Sequence, residues 1–138
     1  MSQSQATRSG TRARPLSPHL TIYRPPITMT MSIIHRITGG ALYFGTLLVA
    51  WWLIAASISE SYFDFVNGIF GSWIGRLILL GYTWALMHHM LGGVRHLIWD
   101  TGAGLEKNTA SKIAWATLAG SIVLMLAIWI VGYMARGA

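Results

Sequence analysis

Three long stretches without a charged side chain limit the fold of this chain more than any other feature. They cover residues 37–59, 77–94 and 113–135, which are 23, 18 and 23 residues long. A helix needs roughly 17 to 25 mostly apolar residues to span the hydrocarbon core of a bilayer. With 54% hydrophobic and only 10% charged residues among 138, the chain is predicted to be one small all-α integral membrane unit with three transmembrane helices.

The predicted layout has two parts. Residues 1–26 form a polar N-terminal cytoplasmic tail and interfacial segment, and residues 27–138 form a three-helix transmembrane anchor. A double proline precedes the first helix and a glycine-rich break follows the second, so we expect helices over about residues 27–57, 71–100 and 111–135. The aromatic residues within 62–70 suit a short external segment at the membrane interface.

The basic residues are unevenly distributed along the chain. Ten Lys and Arg stand against four Asp and Glu, which gives a formal charge of +6. Most of them precede or open the first helix or flank the connection between the second and third: Arg8, Arg12, Arg14, Arg24, Arg36, Arg95, Lys107 and Lys112. By the positive-inside rule, the N-terminus is expected in the cytoplasm and the C-terminus outside. Topology explains the basic excess, so we expect the lipid bilayer, and no nucleic acid, as a partner.

The absence of cysteine excludes several redox chemistries. This chain has no covalently attached c-type haem, no thiolate haem ligand, no iron–sulfur cluster of its own and no disulfide. The N-terminal tail lacks the apolar core of a secretory signal, so the first helix is expected to act as its own insertion signal. The acid-free, Arg-bearing tail also resembles an organellar transit peptide. We favour a bacterial inner membrane over the mitochondrial inner membrane.

Two histidines on the second predicted helix form the first candidate site. His89 lies seven residues before His96, so their side chains fall within about 20° of each other on one helical face. Gly92 and Gly93 lie between them and remove side-chain bulk. An ionisable residue within the membrane indicates function by default, and this face offers an axial nitrogen beside a flat space for a porphyrin edge. Arg95 and His96, closer to the cytoplasmic interface, suit haem propionates.

Simpler explanations exist for each of these residues. A single membrane histidine is often a packing or hydrogen-bonding residue, and paired glycines often mark close helix packing. Arg95 is long enough to extend to the lipid headgroups. His88 lies about 100° from the His89 face, and it stays open as an alternative axial ligand because one sequence does not fix the helical register.

A second candidate site lies at the start of the first helix. Ser32 and Arg36 are four residues apart and therefore point the same way near the cytoplasmic end. A hydroxyl and a guanidinium on one face can both hydrogen-bond a carbonyl oxygen of a quinone held just inside the bilayer. The alternative is a serine bonded to its own helix and an arginine bound to lipid phosphate. Because both candidate sites are expected at one depth on one side, we favour quinone binding.

Two ordered signatures resemble those of the cytochrome b subunits of succinate dehydrogenase, the larger membrane anchors of respiratory complex II. The first is Arg-Pro-Leu-Ser-Pro-His-Leu-Thr-Ile-Tyr at residues 14–23, followed by Ser32-x-x-His35-Arg36-x-Thr38-Gly39. The second is His89-x-x-x-Gly93-Val94-Arg95-His96-Leu97-x-Trp99-Asp100-x-Gly102. The resemblance covers about residues 14–104 and the three-helix layout, and two signatures in order are far more specific than either alone.

The resemblance implies a haem b held between this chain and a second small anchor subunit, so that the chain forms half of a heterodimeric haem-binding bundle. His89 matches the axial ligand of the haem iron, and His35, Arg36 and His96 match positions near the haem propionates. Ser32 and Arg36 match the quinone pocket beside the iron–sulfur subunit. It further implies that succinate is oxidised at a flavin in a flavoprotein subunit, and that iron–sulfur clusters pass the electrons to ubiquinone.

Two other functions stay open at this point. One is a structural anchor without haem, against which a membrane-buried His89 beside glycines argues. The other is the anchor of a quinol:fumarate reductase, because the direction of catalysis depends on the potentials of cofactors in other chains. A transporter is disfavoured, since three helices contain no inverted repeat.

Overall fold

The computed structural model describes residues 22–137, and within this range the chain consists of four α-helices joined by short connections. These are α1 (Ile27–Ile58), α2 (Glu60–Gly71), α3 (Trp73–Asp100) and α4 (Lys107–Gly137). Three of them, α1, α3 and α4, are long and apolar enough to cross a membrane, which confirms the predicted all-α membrane fold. Most of the predicted polar tail, and all but the end of the segment at residues 14–23, lie outside the described residues.

The first helix begins directly after the double proline. Pro26 has φ −65° and ψ 156°, and its carbonyl oxygen accepts hydrogen bonds from the backbone N–H groups of Met29 and Thr30 at 3.0 and 3.1 Å. Proline has a fixed φ and no N–H, so it suits the start of a helix and cannot continue a preceding one. From this start α1 continues for 32 residues.

A short helix, which the sequence analysis did not predict as helical, joins α1 to α3. It has 12 residues, and a serine precedes it and another follows it. Ser59 Oγ accepts from the N–H of Tyr62 at 3.2 Å and caps α2, and Ser72 Oγ accepts from the N–H of Gly75 at 3.1 Å and caps α3. A side chain at Gly75 would collide with the carbonyl oxygen of Ile69, so this tight connection requires glycine.

The short helix α2 packs back against the end of α1. The indole N–H of Trp51 donates to Tyr62 Oη at 2.9 Å, and that of Trp52 donates to Asn67 Oδ1 at 2.8 Å. Val66 lies in this contact region with no exposed surface. Tryptophan and tyrosine are common at the membrane interface because they combine an apolar ring with one polar atom, and here those polar atoms bond the two helices together.

The third helix lies at the centre of the bundle and contacts the other three. Its buried positions are small or polar, and so are those of α4: Gly75, Ala85, His88, Gly92 and Arg95 on α3, and Ala110, Ala114, Thr117 and Ser121 on α4. Small side chains let helix backbones approach closely, which is the usual basis of packing between membrane helices. The position of α3 places its polar side chains between two neighbouring helices.

A turn rich in glycine connects α3 to α4. Gly102 and Gly104 have φ values of 79° and 72°, a left-handed conformation that glycine adopts without steric cost. Trp99 Nε1 closes the turn by donating to the carbonyl oxygen of Gly104 at 3.3 Å. The N–H of Ala110 bonds the carbonyl oxygen of Glu106 at 2.8 Å. Helix α4 therefore starts at Lys107, four residues before the predicted start at residue 111.

Candidate functional site

Three histidines from α1 and α3 lie together and are here called the histidine row: His35, His89 and His96. The imidazole rings of His35 and His89 are stacked, with centroids 4.0 Å apart and an angle of 4° between their planes. The ring of His96 lies 5.3 Å from that of His35 at an angle of 50°. The fold thus brings together three of the predicted site residues, two from α3 and one from α1.

The hydrogen bonds of His89 determine which of its ring nitrogens carries the proton. His89 Nδ1 lies 3.1 Å from the backbone carbonyl oxygen of His35. Since a carbonyl oxygen can only accept, Nδ1 carries the hydrogen and donates it in the neutral ring. Thr38 Oγ1 donates to the same carbonyl at 3.0 Å and lies 3.5 Å from His89 Nδ1. Among residues 22–137 no hydrogen-bond partner meets Nε2 of His89, so its in-plane lone pair is available to a metal.

Each of the two stacked histidines fills the space that a glycine leaves on the opposite helix. A Cβ atom on Gly39 of α1 would lie 2.9 Å from His89 Cε1, and a Cβ atom on Gly92 of α3 would collide with His35 Nδ1. A Cβ atom on Gly93 would meet nothing within 4 Å. The flat space expected beside His89 is therefore occupied by His35 at Gly92, and it is open only at Gly93.

His88, the alternative axial ligand, faces the opposite side of α3. Its ring has no exposed surface, and Nδ1 lies 3.4 Å from Ser121 Oγ of α4. The indole ring of Trp84 lies 5.3 Å from it on the same helix. Its Nε2 is buried without a partner. Because this ring lies wholly inside the chain, a group bound between two subunits does not reach Nε2 unless α4 moves away.

Arg95 and His96 are neighbours in sequence but have different surroundings. Arg95 is 1% exposed, and its Cζ atom lies 5.1 Å from the centre of the Trp99 ring. Its Nε and Nη1 atoms are buried without a hydrogen-bond partner. His96 is exposed, and its ring contacts the edge of Trp99 at 5.3 Å. The side chain of Arg95 does not extend to the surface, whereas His96 is accessible next to the histidine row.

Ser32 and Arg36 lie one turn apart on α1. Arg36 is exposed and Ser32 is half-buried. Most hydroxyls of the membrane helices bond back to their own backbone, as Thr46 does to Leu42 at 2.8 Å and Thr83 to Leu79 at 2.7 Å. Within the described part of the chain, Ser32 makes no such bond, so its hydroxyl is free to donate to a ligand.

Two residues that position the histidine row were given no role in the sequence analysis. Thr38 is 2% exposed and bonds at the shared carbonyl, and Gly39 makes room for His89. Both lie three or four residues after His35, so they share its helical face, and that spacing was the available signal. The spacing alone did not show which helix packs against this face.

The donors present fit haem iron better than a metal ion held by protein alone. Within residues 22–137, no three His, Asp or Glu side chains converge as they do at a protein-only ion site. Haem iron needs only one or two axial ligands from protein, because the porphyrin supplies the other four nitrogens. A ligating histidine usually donates its other ring N–H to a carbonyl or carboxylate, which is the arrangement found for His89 Nδ1.

Comparison with known proteins identifies the family of this chain. The model of the family described as "Succinate dehydrogenase/Fumarate reductase transmembrane subunit" matches residues 10–128, which is most of the chain. The chain belongs to this family. Members of the succinate dehydrogenase/fumarate reductase transmembrane family with high similarity include the succinate dehydrogenase cytochrome b556 subunit of Paracoccus denitrificans, 47% identical over 121 residues, covering 88% of this chain and 93% of the relative.

Other relatives have lower identity to this chain. The succinate dehydrogenase cytochrome b556 subunit of Rickettsia felis is 38% identical over 117 residues, with 85% of this chain and 91% of the relative covered. The mitochondrial succinate dehydrogenase cytochrome b560 subunit of Sus scrofa is 40% identical over 117 residues, with 83% of this chain and 66% of the relative covered. The similarity thus extends to both bacterial and mitochondrial cytochrome b subunits.

Proposed function

We propose that this chain is the cytochrome b membrane anchor of a succinate:quinone oxidoreductase, holding haem b through His89 and forming part of the quinone-reduction site through Ser32 and Arg36. The observation that carries the proposal is the hydrogen bond from His89 Nδ1 to the carbonyl oxygen of His35 at 3.1 Å. It fixes the tautomer in which Nε2 is a ligand, at a half-buried ring. Family membership supports the same assignment.

The residues of this chain fit one side of a shared haem site. A bound haem b would supply a one-electron carrier within the membrane. His89 would hold the iron, and a second small anchor subunit would supply another ligand. His35, Arg36 and His96 provide donors for the propionates, since imidazole and guanidinium groups make charge-assisted bonds to carboxylates. Arg95 is also assigned to this region in the proposal, where its buried guanidinium would have to turn outward to reach a propionate.

Burial favours His89 over His88 as the iron ligand. The ring of His88 has no exposed surface and lies against Ser121 of α4. A haem shared with another subunit has to approach from outside this chain, where the half-buried His89 is accessible.

At the proposed quinone site, Ser32 and Arg36 orient the quinone ring. The Ser32 hydroxyl and the Arg36 guanidinium donate hydrogen bonds to a quinone carbonyl oxygen, which becomes more basic as the ring is reduced. Full reduction of ubiquinone to ubiquinol takes two electrons and two protons. The electrons come from the iron–sulfur subunit, which receives them from succinate oxidation in the flavoprotein subunit. We place the complex in a bacterial inner membrane with the N-terminus in the cytoplasm.

The test is a reduced-minus-oxidised optical spectrum of the detergent-purified complex, recorded for the native chain, His89→Ala and His88→Ala. We expect a b-type signal in the native sample, its loss in an assembled His89→Ala complex, and its retention in His88→Ala. Loss with His88→Ala and retention with His89→Ala would assign the ligand to the other histidine. A native complex that assembles fully without a signal would identify the chain as a haem-free structural anchor.

The family description also covers fumarate reductase, which is the second candidate. The residues of this chain serve either direction, because the direction follows from the potentials of the quinone, flavin and clusters. Rates of succinate oxidation by ubiquinone and of fumarate reduction by menaquinol, measured on the same complex, separate the two.

A further inference from the structure

A cleft with two arginines lies at the opposite end of the bundle from the histidine row. It is a cavity of ≈ 570 Å³ between α2, α3 and α4, here called the arginine cleft, and its lining includes Arg76, Arg136, Trp129, Tyr133 and Asn67. Arg76 is in the first turn of α3 and Arg136 in the last turn of α4. At ~1.5 Å per residue, Arg76 lies about 20 Å along α3 from His89, so the cleft is separate from the proposed haem and quinone site.

An apolar groove lies next to the arginine cleft. This groove has a volume of ≈ 440 Å³, runs between α1, α2 and α3, and is lined by residues such as Leu48, Trp52 and Tyr82. Asn67, Phe70 and Leu79 line both the cleft and the groove, so the two lie side by side. A charged cleft beside an apolar groove matches the polarity of a lipid molecule, which has a charged headgroup and apolar acyl chains.

The electrostatics of the cleft select for an anion. No acidic side chain lines either the cleft or the groove. The two arginines line one cleft in which no lining carboxylate neutralises them. Guanidinium groups bind phosphate through paired N–H donors more readily than a lysine does. The cleft also has room for a headgroup, because a Cβ atom on Gly71 or Gly132 would meet nothing within 4 Å.

The aromatic and amide groups of the cleft suit a membrane interface. The rings of Trp129 and Tyr133 on α4 lie 5.8 Å apart at an angle of 49°, within the two turns before Arg136. Tryptophan and tyrosine concentrate at the depth of lipid headgroups and glycerol esters. Asn67 accepts the indole N–H of Trp52 through Oδ1 at 2.8 Å, so its amide N–H groups remain available as donors.

We propose that the arginine cleft and the apolar groove form a binding site for one anionic phospholipid. The phosphate lies between Arg76 and Arg136, and one acyl chain lies in the groove along Leu79 and Tyr82. Charge complementarity selects an anionic headgroup, and the groove removes apolar surface of the chain from contact with bulk lipid. The site connects α2, α3 and α4 at one end of the bundle, so its occupation stabilises the membrane subunit.

The experiment uses the whole complex, purified in detergent, stripped of lipid and then supplied with dioleoylphosphatidylglycerol. Bound lipid is counted by native mass spectrometry, and the thermal midpoint Tm is recorded with and without lipid. The test variant is the double change Arg76→Gln with Arg136→Gln. The matched control is Lys107→Gln with Lys112→Gln, which removes the same charge from exposed positions at the other end of the bundle.

We expect the native and control complexes to retain phosphatidylglycerol and to gain Tm with it. The arginine variant should need roughly tenfold more lipid for the same retention, as expected when two cations next to a phosphate are lost. Gly132→Phe, which fills the cleft and keeps both arginines, should reduce retention in the same direction. Both changes should leave the b-type haem signal unchanged, so a failure of this proposal is distinct from a failure of the haem assignment.

Three outcomes would overturn the lipid site. The first is equal retention of phosphatidylglycerol by the native complex and the arginine variant. The second is equal retention of dioleoylphosphatidylcholine and phosphatidylglycerol by the native complex, which would remove the charge selectivity. The third is an equal gain of Tm with inorganic phosphate alone, which would assign the arginines to a free anion.

Discussion

His88 and His89 are adjacent in sequence, yet the two sides of α3 give them opposite surroundings. On the α1 side, His89 is half-buried, its Nδ1 bonds a carbonyl oxygen, and its Nε2 is free of any partner in residues 22–137. On the α4 side, His88 has no exposed surface and lies against Ser121. A turn of about 100° per residue is enough to separate the two. In our proposal, the α1 side of α3 binds the haem, whereas the α4 side packs inside the chain.

The largest effect is expected from adding a methyl group to α3 on the side that faces α1. Gly92→Ala places a Cβ atom where the ring of His35 lies, so we expect α1 and α3 to separate at the histidine row. Overpacking of this kind costs about 1–3 kcal/mol, and we expect a lower Tm of the complex together with loss of the b-type signal.

Gly81→Ala is the matched control for that change, because its Cβ atom would meet nothing within 4 Å and Gly81 lies on the same helix away from the histidine row. It should keep native Tm and a native spectrum. If both alanines behave alike, the contact between Gly92 and His35 does not determine the geometry of the α1 side.

A smaller effect is expected from Thr38→Val, which keeps the shape of the side chain and removes its hydroxyl. Thr38 donates to the carbonyl that orients His89, at 3.0 Å. Outer-shell changes at metal ligands typically weaken binding about 10–100-fold, so haem should dissociate faster from the variant in a competition assay with apomyoglobin. Thr46→Val is the control, since Thr46 bonds only to its own helix. Equal rates in the two variants would exclude Thr38 from positioning His89.

Ser32→Ala tests the proposed quinone site on the same side of the bundle. Loss of one hydrogen bond to the substrate is worth about 0.5–1.5 kcal/mol, so ubiquinone reduction by succinate should fall roughly two- to tenfold. Reduction of a soluble electron acceptor should stay native. Thr30→Ala serves as control because the Thr30 hydroxyl bonds the carbonyl oxygen of Pro26. A fall with both acceptors would indicate failed assembly instead of a lost quinone contact.

The smallest effect is expected on the α4 side. Ser121→Ala removes the neighbour of His88 Nδ1, and a lost neutral hydrogen bond should cost about 1 kcal/mol of stability. We expect a slightly lower Tm and an unchanged haem spectrum. A spectral change as large as that of Thr38→Val would mean that the α4 side also acts on the haem, and the contrast between the two sides would no longer hold.

The membrane helices were predictable because the apolar windows alone set their positions. α2 was not predicted, since its 12 residues combine aromatic groups with Glu60 and Asp64, a mixture equally typical of an interfacial loop. Its helical form depends on capping by Ser59 and on indole bonds from α1. The serine and the tryptophans were visible in the sequence, but their hydrogen bonds to α2 are seen only in the folded structure.

For the candidate site, spacing along one helix was informative and pairing between helices was not. The shared face of His89 and His96 follows from their separation of seven residues. The contact of His35 with His89 joins residues 54 positions apart, and it depends on how far α1 slides along α3. Gly92 shows the limit most clearly, because the space it leaves was expected for a porphyrin edge and is filled by His35. The roles of these residues remain predictions.

The reciprocal contacts of Gly39 with His89 and of Gly92 with His35 also restrict how this chain can evolve in length. Each helix places one imidazole ring against a glycine of the other, so the two contacts together fix how α1 and α3 are aligned along their length. Adding or deleting one residue between His35 and Gly39, or between His89 and Gly92, would prevent the two contacts from forming together. Insertions and deletions among descendants of this gene should therefore spare these two short intervals and accumulate in the connections between the helices.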